Sequence, residues 1–402
     1  MNKNKIIHIS YSDYIGGANI AAKNIHNSVK NKIKSIFICI EEKNKKKSFF
    51  ERFFIDTRIF LGRVPKIFYL NKKGINYSFA FLPSKYPKIL NSTFCKNKIV
   101  HLHWINRETI SIEDIKKINS KILWTCHDMW PFLGARHLAT KKINYMKFKS
   151  IFRFLNLDYL TWLRKKNLFK KREISFTVPS NWMKNELKKS DSYKNNKIFV
   201  IGNPIDCDFW KKNKKLITLK NLNQKKNTFR IVFGAGGLIK DKNKGLDLAL
   251  KIFEELHKLN LIKFEVLFFG ENINFVKNKY NFNFINFGWV NKKKLRAIYS
   301  SSDLMICTSK IESFCQIVAE AQSCSLPVVS YKTSGLNDVI KNNYSGVLVK
   351  EYDHKKFSKK IINLLKNKNK LLKFSKNSRK HIKTNFDEKI ISKKYLNAYK
   401  EL

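Results

Sequence analysis

Acidic residues are scarce in this chain: 30 aspartates and glutamates stand against 81 lysines and arginines, a formal net charge of +51 over 402 residues. Lysine is accompanied by abundant Asn and Ile, a pattern that A/T-rich codon usage alone generates. The other source of such an excess is an acidic partner: an anionic membrane surface, a nucleotide-sugar or nucleic acid. Zinc-finger, RNA-recognition and basic-zipper signatures are all lacking, which argues against nucleic acid as that partner. The seven cysteines contain no C-x-x-C pair, so reduced thiols in a cytoplasmic protein are expected rather than a disulfide frame. No apolar run approaches the length of a membrane span, and Ile6–Ile9 is too short for a signal-peptide core. The G-x-G-x-x-G fingerprint is also missing, which removes the case for NAD.

What remains is a length suited to two domains, an ordinary apolar share and a repeated alternation of short apolar runs with amphipathic stretches. Leu304–Thr308 reads as a buried parallel strand, followed by a polar tip, a helix from about Phe314 to Cys324, and a second strand, Val328–Tyr331, opened by Pro327. Glu312 then falls beyond the carboxyl end of the first strand, the ligand side of a doubly wound sheet. Glu320 follows eight positions later on the helix. A carboxylate accepts from vicinal sugar hydroxyls, and a helix N-terminus between two of them suits an anion. Two glutamates beside a helix also describe an ordinary solvated face, and spacing alone does not separate the readings.

The first half repeats this grammar. Strand Ile6–Ser10 meets a loop at Gly16-Gly17, then a helix to about Val29 and a strand at Ile36–Ile40. Lys98–His103, Ile122–Thr125, Ile174–Pro179 and Ile198–Ile201 read as further strands, with His127 just past a strand end. His101, His103 and His127 invite a zinc reading, but no Cys or carboxylate completes the set. Two stripes of apolar residues carry basic flanks. One runs through Phe49, Phe50, Phe53, Phe54, Phe60, Leu61 and Val64, among Lys45–Lys47, Arg52, Arg58, Arg63 and Lys66. The other joins Phe148, Ile151, Phe152, Leu155, Tyr159, Trp162 and Leu163, rimmed by Lys147, Lys149, Arg153, Arg164, Lys165 and Lys166. Each fits either a core-facing helix or a face laid on an anionic bilayer. Residues 211–228 read as a linker. Arg230–Gly234 then restarts the pattern, with Gly236-Gly237 and the Lys240–Gly245 run after it, where lysines can neutralise a diphosphate.

Glu312-Ser313-Phe314 followed by Glu320-Ala321, Leu326-Pro327-Val328-Val329 and Ser334-Gly335 resembles the signature of the retaining nucleotide-sugar glycosyltransferases of family four. Leu102-His103-Trp104-Ile105, Thr125–Trp130 and Ser180–Met183 are similar to the N-terminal domain of that family, most of all to the branch that builds colanic-acid-like polysaccharides. The resemblance implies an α/β, GT-B architecture: two Rossmann-like doubly wound domains facing across a cleft, with a C-terminal helix crossing back to the first. The expected division is 1–205 plus 386–402 against 206–385. It implies transfer, with retention and without metal or other cofactor, from a UDP- or GDP-sugar to a hydroxyl of a glycan or lipid-linked acceptor at the cell surface. His127 and Glu312 would hold the donor sugar and Glu320 the ribose. Gly16, Gly17, Gly237, Lys240 and Lys244 would meet the diphosphate. Val290 would flank the base, and Ser313, Phe314 and Cys315 would line the helix N-terminus.

The chain departs from the pattern in three places. Cys315 and Ser325 stand where glycine is common, no Arg replaces Gly236-Gly237, and the cysteine-bearing insert after His127–Trp130 is missing, so acceptor identity does not carry over. The alternatives are a GT-B sugar-nucleotide epimerase or hydrolase, which consumes donor without acceptor, and a basic nucleic-acid-binding protein. A cytoplasmic enzyme, peripheral on the inner face of the plasma membrane, is the expected location.

Overall fold

The computed structural model describes residues 5–69, 76–92, 98–139, 143–147, 155–192, 196–213, 227–273, 276, 279–350 and 352–402. The chain divides into two compact units: Met1–Pro204 with Ile391–Leu402, and Ile205–Ile390. Each is built on a six-stranded sheet in which, among the described residues, neighbouring strands pair in parallel.

In the first unit the strands are β1 (Lys5–Ser12), β2 (Ser35–Glu41), β3 (Lys98–Leu102), β4 (Lys121–Thr125), β5 (Ile174–Val178) and β6 (Ile198–Val200), arranged β2-β1-β3-β4-β5-β6. The two-residue period of a strand gives this sheet two unlike faces. Ile7, Ile9, Val100, Leu102, Ile122, Trp124, Ile174 and Phe176 pack into one aliphatic and aromatic core. The alternate positions carry polar groups. His8, Ser10, His101, Thr125 and Thr177 lie there, all buried, and the C-terminal helix Glu388–Lys400 brings Tyr399 to donate to or accept from His101 Nδ1 at 2.8 Å. A buried polar layer is tolerable only where its members bond to one another. Here they do so: His101 Nε2 meets Thr125 Oγ1 at 2.7 Å.

In the second unit β7 (Phe229–Gly234), β8 (Phe264–Phe269), β9 (Phe284–Asn286), β10 (Leu304–Cys307), β11 (Val328–Tyr331) and β12 (Gly346–Val349) form the order β12-β11-β10-β7-β8-β9. The chain starts in the middle at β7, builds to one edge, then returns beside β7 with β10 and builds to the other. The direction of winding reverses between β7 and β10, where Leu304 lies opposite Ile231. Crossover connections leave the loops after those two strands diverging, so a crevice opens beyond their carboxyl ends. Apolar clusters cover both faces of this sheet.

One expectation needs correction. Helix Leu157–Lys171 turns Trp162, Leu168 and Phe169 inward, and Lys165, expected on a basic rim, is fully buried. Its ammonium lies 3.7 Å from the centre of the Trp130 ring and donates to the carbonyl oxygens of Trp130 and Gly134. Burial pushes its pKa well down. Of that stripe's described members Trp162 is buried and Tyr159 half-buried, while Leu155 and Leu163 are 76 and 37 % exposed, so it is not one continuous core-facing stripe. Its members at 148–154, Lys149 and Arg153 included, lie outside the described residues, as does the side chain of Lys147. Most of the expected linker, 214–226, also falls outside them. The other stripe lies on helix Phe49–Arg63 and is exposed. Phe49, Phe50, Phe53 and Phe54 keep 78, 81, 64 and 63 % of their surface in solvent. Among the described residues no helix is long and apolar enough to cross a membrane.

Candidate active site

In the second unit the site is assembled from the two loops that diverge at the winding reversal. The loop after β7 turns at Gly237 (φ +76°), where Asp241 N donates to Gly237 O at 2.8 Å, and continues through Asp241–Gly245. Asp241 accepts from Asn243 N at 3.0 Å, which holds a short turn over 242–244. Gly245 has φ +67°, and a Cβ there would stand 2.1 Å from Thr308 O. Only glycine permits that approach, and it lets the two loops tie together. Thr308 Oγ1 donates to Gly245 O (2.7 Å) and Lys310 N to Asn243 O (2.7 Å).

These backbone ties bring Lys244 to Glu312, Nζ to Oε1 2.9 Å, with side chains only 25 % and 14 % exposed. The Glu312 carboxylate holds the Lys244 ammonium above its ordinary range, against the opposing effect of burial. Glu312 is fixed from behind: its N–H donates to Ser334 Oγ at 2.8 Å, and its carbonyl accepts from Gly335 N at 2.8 Å. Lys240, by contrast, is an exposed residue of the 237–241 turn.

The helix after Glu312 begins at Gln316, two residues later than expected. Cys315 is the reason. It adopts φ +74°, a left-handed conformation that cannot belong to the helix, and Ser325 at the far side has φ +61°. These are the two positions where the family resemblance would place glycine, and the backbone shows why: an L side chain there is strained. Ala319 N is the donor to Cys315 O, so the N–H groups of 316–318 precede the first intrahelical bond. Phe314 is buried and packs edge-on to Phe386 (5.1 Å), and Cys315 Sγ lies 3.9 Å from Cys307 Sγ. Both side chains thus serve the core, leaving Phe314 and Cys315 only their backbone to offer a ligand, whereas Ser313 is half-buried.

Glu320 is buried on the helix with Gln316 Nε2 at 3.5 Å. Burial raises its pKa to about 7, although Lys292 and Gln316 pull it the other way. Val290 is half-buried, in a loop that reaches back over the first one. Gly270 N donates to Gly288 O at 2.8 Å, and the Trp289 ring comes within 3.0 Å of where a Cβ on Gly236 would be. The structure therefore gathers Gly237, Lys244, Glu312 and the 313–316 turn around the winding reversal, with Glu320 a little over one helical turn beyond that N-terminus.

In the first unit Gly16 (φ +79°) caps helix Gly17–Val29 beyond β1, with open space at both glycines. Asn19 clamps the approach, accepting from Ser10 Oγ (2.6 Å) and donating to Ile15 O (2.7 Å). His127 follows β4. It is buried, and burial lowers its pKa to about 4 against the pull of Asp128, so the ring is neutral at neutral pH. Asp128, part of the Thr125–Trp130 motif but given no role there, anchors that loop. It accepts from Trp104 Nε1 (3.0 Å), Trp130 N (2.9 Å) and His137 Nδ1 (2.7 Å). The zinc reading of His101, His103 and His127 becomes a different group: nitrogens of His8, His101 and His103 lie within 4.8 Å of one another, without a carboxylate. His101 is already bonded through both ring nitrogens, to Tyr399 and Thr125.

The Glu320 pKa gives a stability test. In the folded state the carboxyl keeps its proton to about pH 7, whereas the unfolded chain loses it near 4.5. Stability therefore falls as pH rises through that window. Glu320→Gln should unfold at a higher temperature than the parent at pH 8, by up to roughly 3 kcal/mol. The difference should vanish by pH 4.5 when both are followed by calorimetry.

Comparison with known proteins adds two family matches. The signature described as "Glycosyl transferases group 1" covers residues 218–381, and that of "Glycosyltransferase Family 4" covers 15–209. An uncharacterized 41.2 kDa protein in the cps region of Klebsiella pneumoniae is 26 % identical over 56 % of this chain and 64 % of its own length. The capsular polysaccharide biosynthesis glycosyltransferase CapM of Staphylococcus aureus is 24 % identical over 53 % of this chain and 57 % of its own. The matched stretches thus span less than two thirds of these relatives. Among solved structures, Anabaena Alr3699/HepE in complex with UDP-glucose superposes with a TM-score of 0.68 at 12 % identity, over 99 % of this chain and 100 % of that one. Likeness at that identity speaks for the fold, and the two signatures speak for descent: the chain belongs to the group 1, family 4 glycosyltransferases and has their GT-B fold.

Proposed function

We propose that this protein is a retaining glycosyltransferase that moves a sugar from a UDP- or GDP-sugar to a hydroxyl of a growing cell-surface polysaccharide or lipid-linked glycan. The observation that carries the proposal is the Lys244–Glu312 pair, 2.9 Å apart beyond the reversal in strand order. An isolated ion pair is a poor way to stabilise a fold once desolvation is counted. A lysine and a glutamate held ready at a crevice do suit a ligand that carries a diphosphate next to a polyol. Lys244 and the N–H groups of 316–318 then meet the charge that develops on the leaving diphosphate, the largest electrostatic demand of the reaction. Glu312 accepts from sugar hydroxyls, Glu320 from the ribose, and neutral His127 bonds the sugar.

The anomeric C–O bond to the β-phosphate breaks, and the acceptor oxygen bonds to the same carbon from the same face. The acceptor's proton passes to the departing phosphate oxygen. No bound metal is required in this reading. Solved GT-B neighbours carrying UDP and UDP-glucose support a uridine donor first, and the capsular relatives support a polysaccharide acceptor. A donor-only hydrolase or epimerase would turn over the nucleotide-sugar with no acceptor present.

Glu312→Ala and His127→Ala should each lower sugar transfer by roughly a hundredfold or more, with the circular dichroism and melting profile of a folded protein. Transfer at the parental rate by either variant would remove that residue from the reaction.

The exposed face of helix Phe49–Arg63 supports peripheral attachment to the anionic inner leaflet. Six large apolar side chains, Phe49, Phe50, Phe53, Phe54, Phe60 and Leu61, lie 45–81 % exposed, with exposed Lys45, Lys46 and Arg63 beside them. Other cations of the stretch serve the fold: Lys47 and Arg52 bond Glu41 at 3.1 and 2.9 Å, and Arg58 donates to Pro83 and Glu108 carbonyls. Flotation with phosphatidylglycerol vesicles should retain the protein and lose a Phe50→Ser, Phe53→Ser double variant. Equal retention of both, or equal binding to neutral phosphatidylcholine, would rule out this attachment.

A further inference from the structure

The polar face of the first sheet contains a line of three imidazoles. His127 Nε2 lies 3.1 Å from His103 Nδ1, and His103 Nε2 lies 2.9 Å from His8 Nδ1. All three rings are buried, with His8 and His103 essentially sealed from solvent. Successive ring centres are 5.3 and 5.2 Å apart, and the planes of the His8 and His103 rings are nearly parallel, at 11°. Three strands supply the line: β1, the end of β3 and the end of β4. Strand register sets the spacing, because His8 is directly opposite His101 and two residues later β3 delivers His103.

A neutral imidazole has one N–H and one lone pair, so each ring in such a line can donate on one side only. The two hydrogen bonds must therefore point the same way. The far end decides the direction. His8 Nε2 is buried and has no hydrogen-bond partner among the described residues. If the bonds ran from His127 inward, that nitrogen would carry a buried N–H with no acceptor. If they run from His8 outward, it is a bare lone pair. A stranded buried donor is the rarer and costlier of the two. His8 Nδ1–H then donates to His103 Nε2, His103 Nδ1–H donates to His127 Nε2, and the single proton of His127 is left on Nδ1.

We propose that His8 and His103 are positioning residues which hold His127 as its Nδ1–H tautomer, so that His127 meets the donor sugar as a hydrogen-bond donor. This rests on the reading of His127 as a sugar-binding residue and goes beyond it by assigning the proton and its source. The default for an unconstrained neutral imidazole is the Nε2–H tautomer, so the buried chain imposes the less common form at the residue two strands away. Nothing in the role calls for a charge on any of the three rings.

The test is the two-bond 1H–15N spectrum of the full-length protein labelled at histidine, in which Nδ1–H and Nε2–H rings give different nitrogen shifts. The chain has nine histidines, and loss of one pattern in His127→Gln assigns the ring of interest. The parent should show Nδ1–H at His127. His103→Phe should switch it to Nε2–H and lower kcat about tenfold or more with little change in KM for the acceptor. His103→Asn, whose amide restores a donor near the Nδ1 position, should recover the Nδ1–H pattern and most of the turnover. His8→Phe, which leaves His103 in place, should give a mixture of both tautomers and serves if His103→Phe does not fold. An Nε2–H pattern at His127 in the parent, or a pattern untouched by His8→Phe and His103→Phe, overturns the proposal. A tautomer that switches while transfer stays at the parental rate upholds the relay and removes His127 from the reaction instead.

Discussion

The contact on which the candidate site depends is the ion pair of Lys244 and Glu312. Its partners come from loops 68 residues apart in sequence, and their meeting follows from sheet topology. Because β7 and β10 are neighbours wound in opposite senses, the loops after them must diverge and leave a crevice. Gly245, packed against Thr308 O, and the bonds from Thr308 and Lys310 then tie the loops together again below the pair. Removing either charge would leave the other partly desolvated and unmatched, which costs far more than the intact pair contributes. A ligand that offers a phosphate to one and hydroxyls to the other resolves this tension.

The two units keep polar groups in place by different means. The second uses charge: a lysine, a glutamate, and a buried Glu320 whose carboxyl resists ionisation until about pH 7. The first uses neutral rings and hydroxyls. Its sheet carries His8, His101, His103, Thr125 and Thr177 on one face, and burial keeps the imidazoles uncharged. A protein with a formal charge of +51 thus builds a key face from groups with none. The net charge is a poor guide to its chemistry. Lys165 supports a loop from inside, and Lys47 and Arg52 pin Glu41.

Much of the strand pattern was legible because buried parallel strands are short apolar runs, and Leu304–Cys307 and Val328–Tyr331 stand out between Gly, Pro and Lys. Glu312 and Lys244 were legible through the family words around them, but their mutual bond was not, since no spacing encodes a contact between separate loops. The start of the helix at Gln316 was missed because nothing in the letters Phe-Cys-Gln announces a left-handed cysteine. The helix Lys368–Asn385 escaped for a different reason. It buries only Phe374, Ser378 and Ile382 among lysines and asparagines, too thin a stripe to register as a period. His8 hid inside an apolar strand, where a single histidine is indistinguishable from a satisfied core residue. Asp128 stood in plain view beside His127, yet its partner His137 lies nine residues on, across a turn.

The central claim is that Lys244 and Glu312 are a ligand-binding pair held ready, rather than a strut of the fold. Calorimetric titration of UDP, GDP and their glucose conjugates into the parent, Lys244→Met and Glu312→Gln tests it most directly. The account predicts that Lys244→Met loses affinity for the nucleoside diphosphate by about tenfold or more. It predicts that Glu312→Gln keeps or gains that affinity, its lysine being released, but no longer binds the sugar conjugate more tightly than the bare nucleotide. Diphosphate binding to Lys244→Met at parental strength, or a sugar preference undiminished in Glu312→Gln, would contradict it.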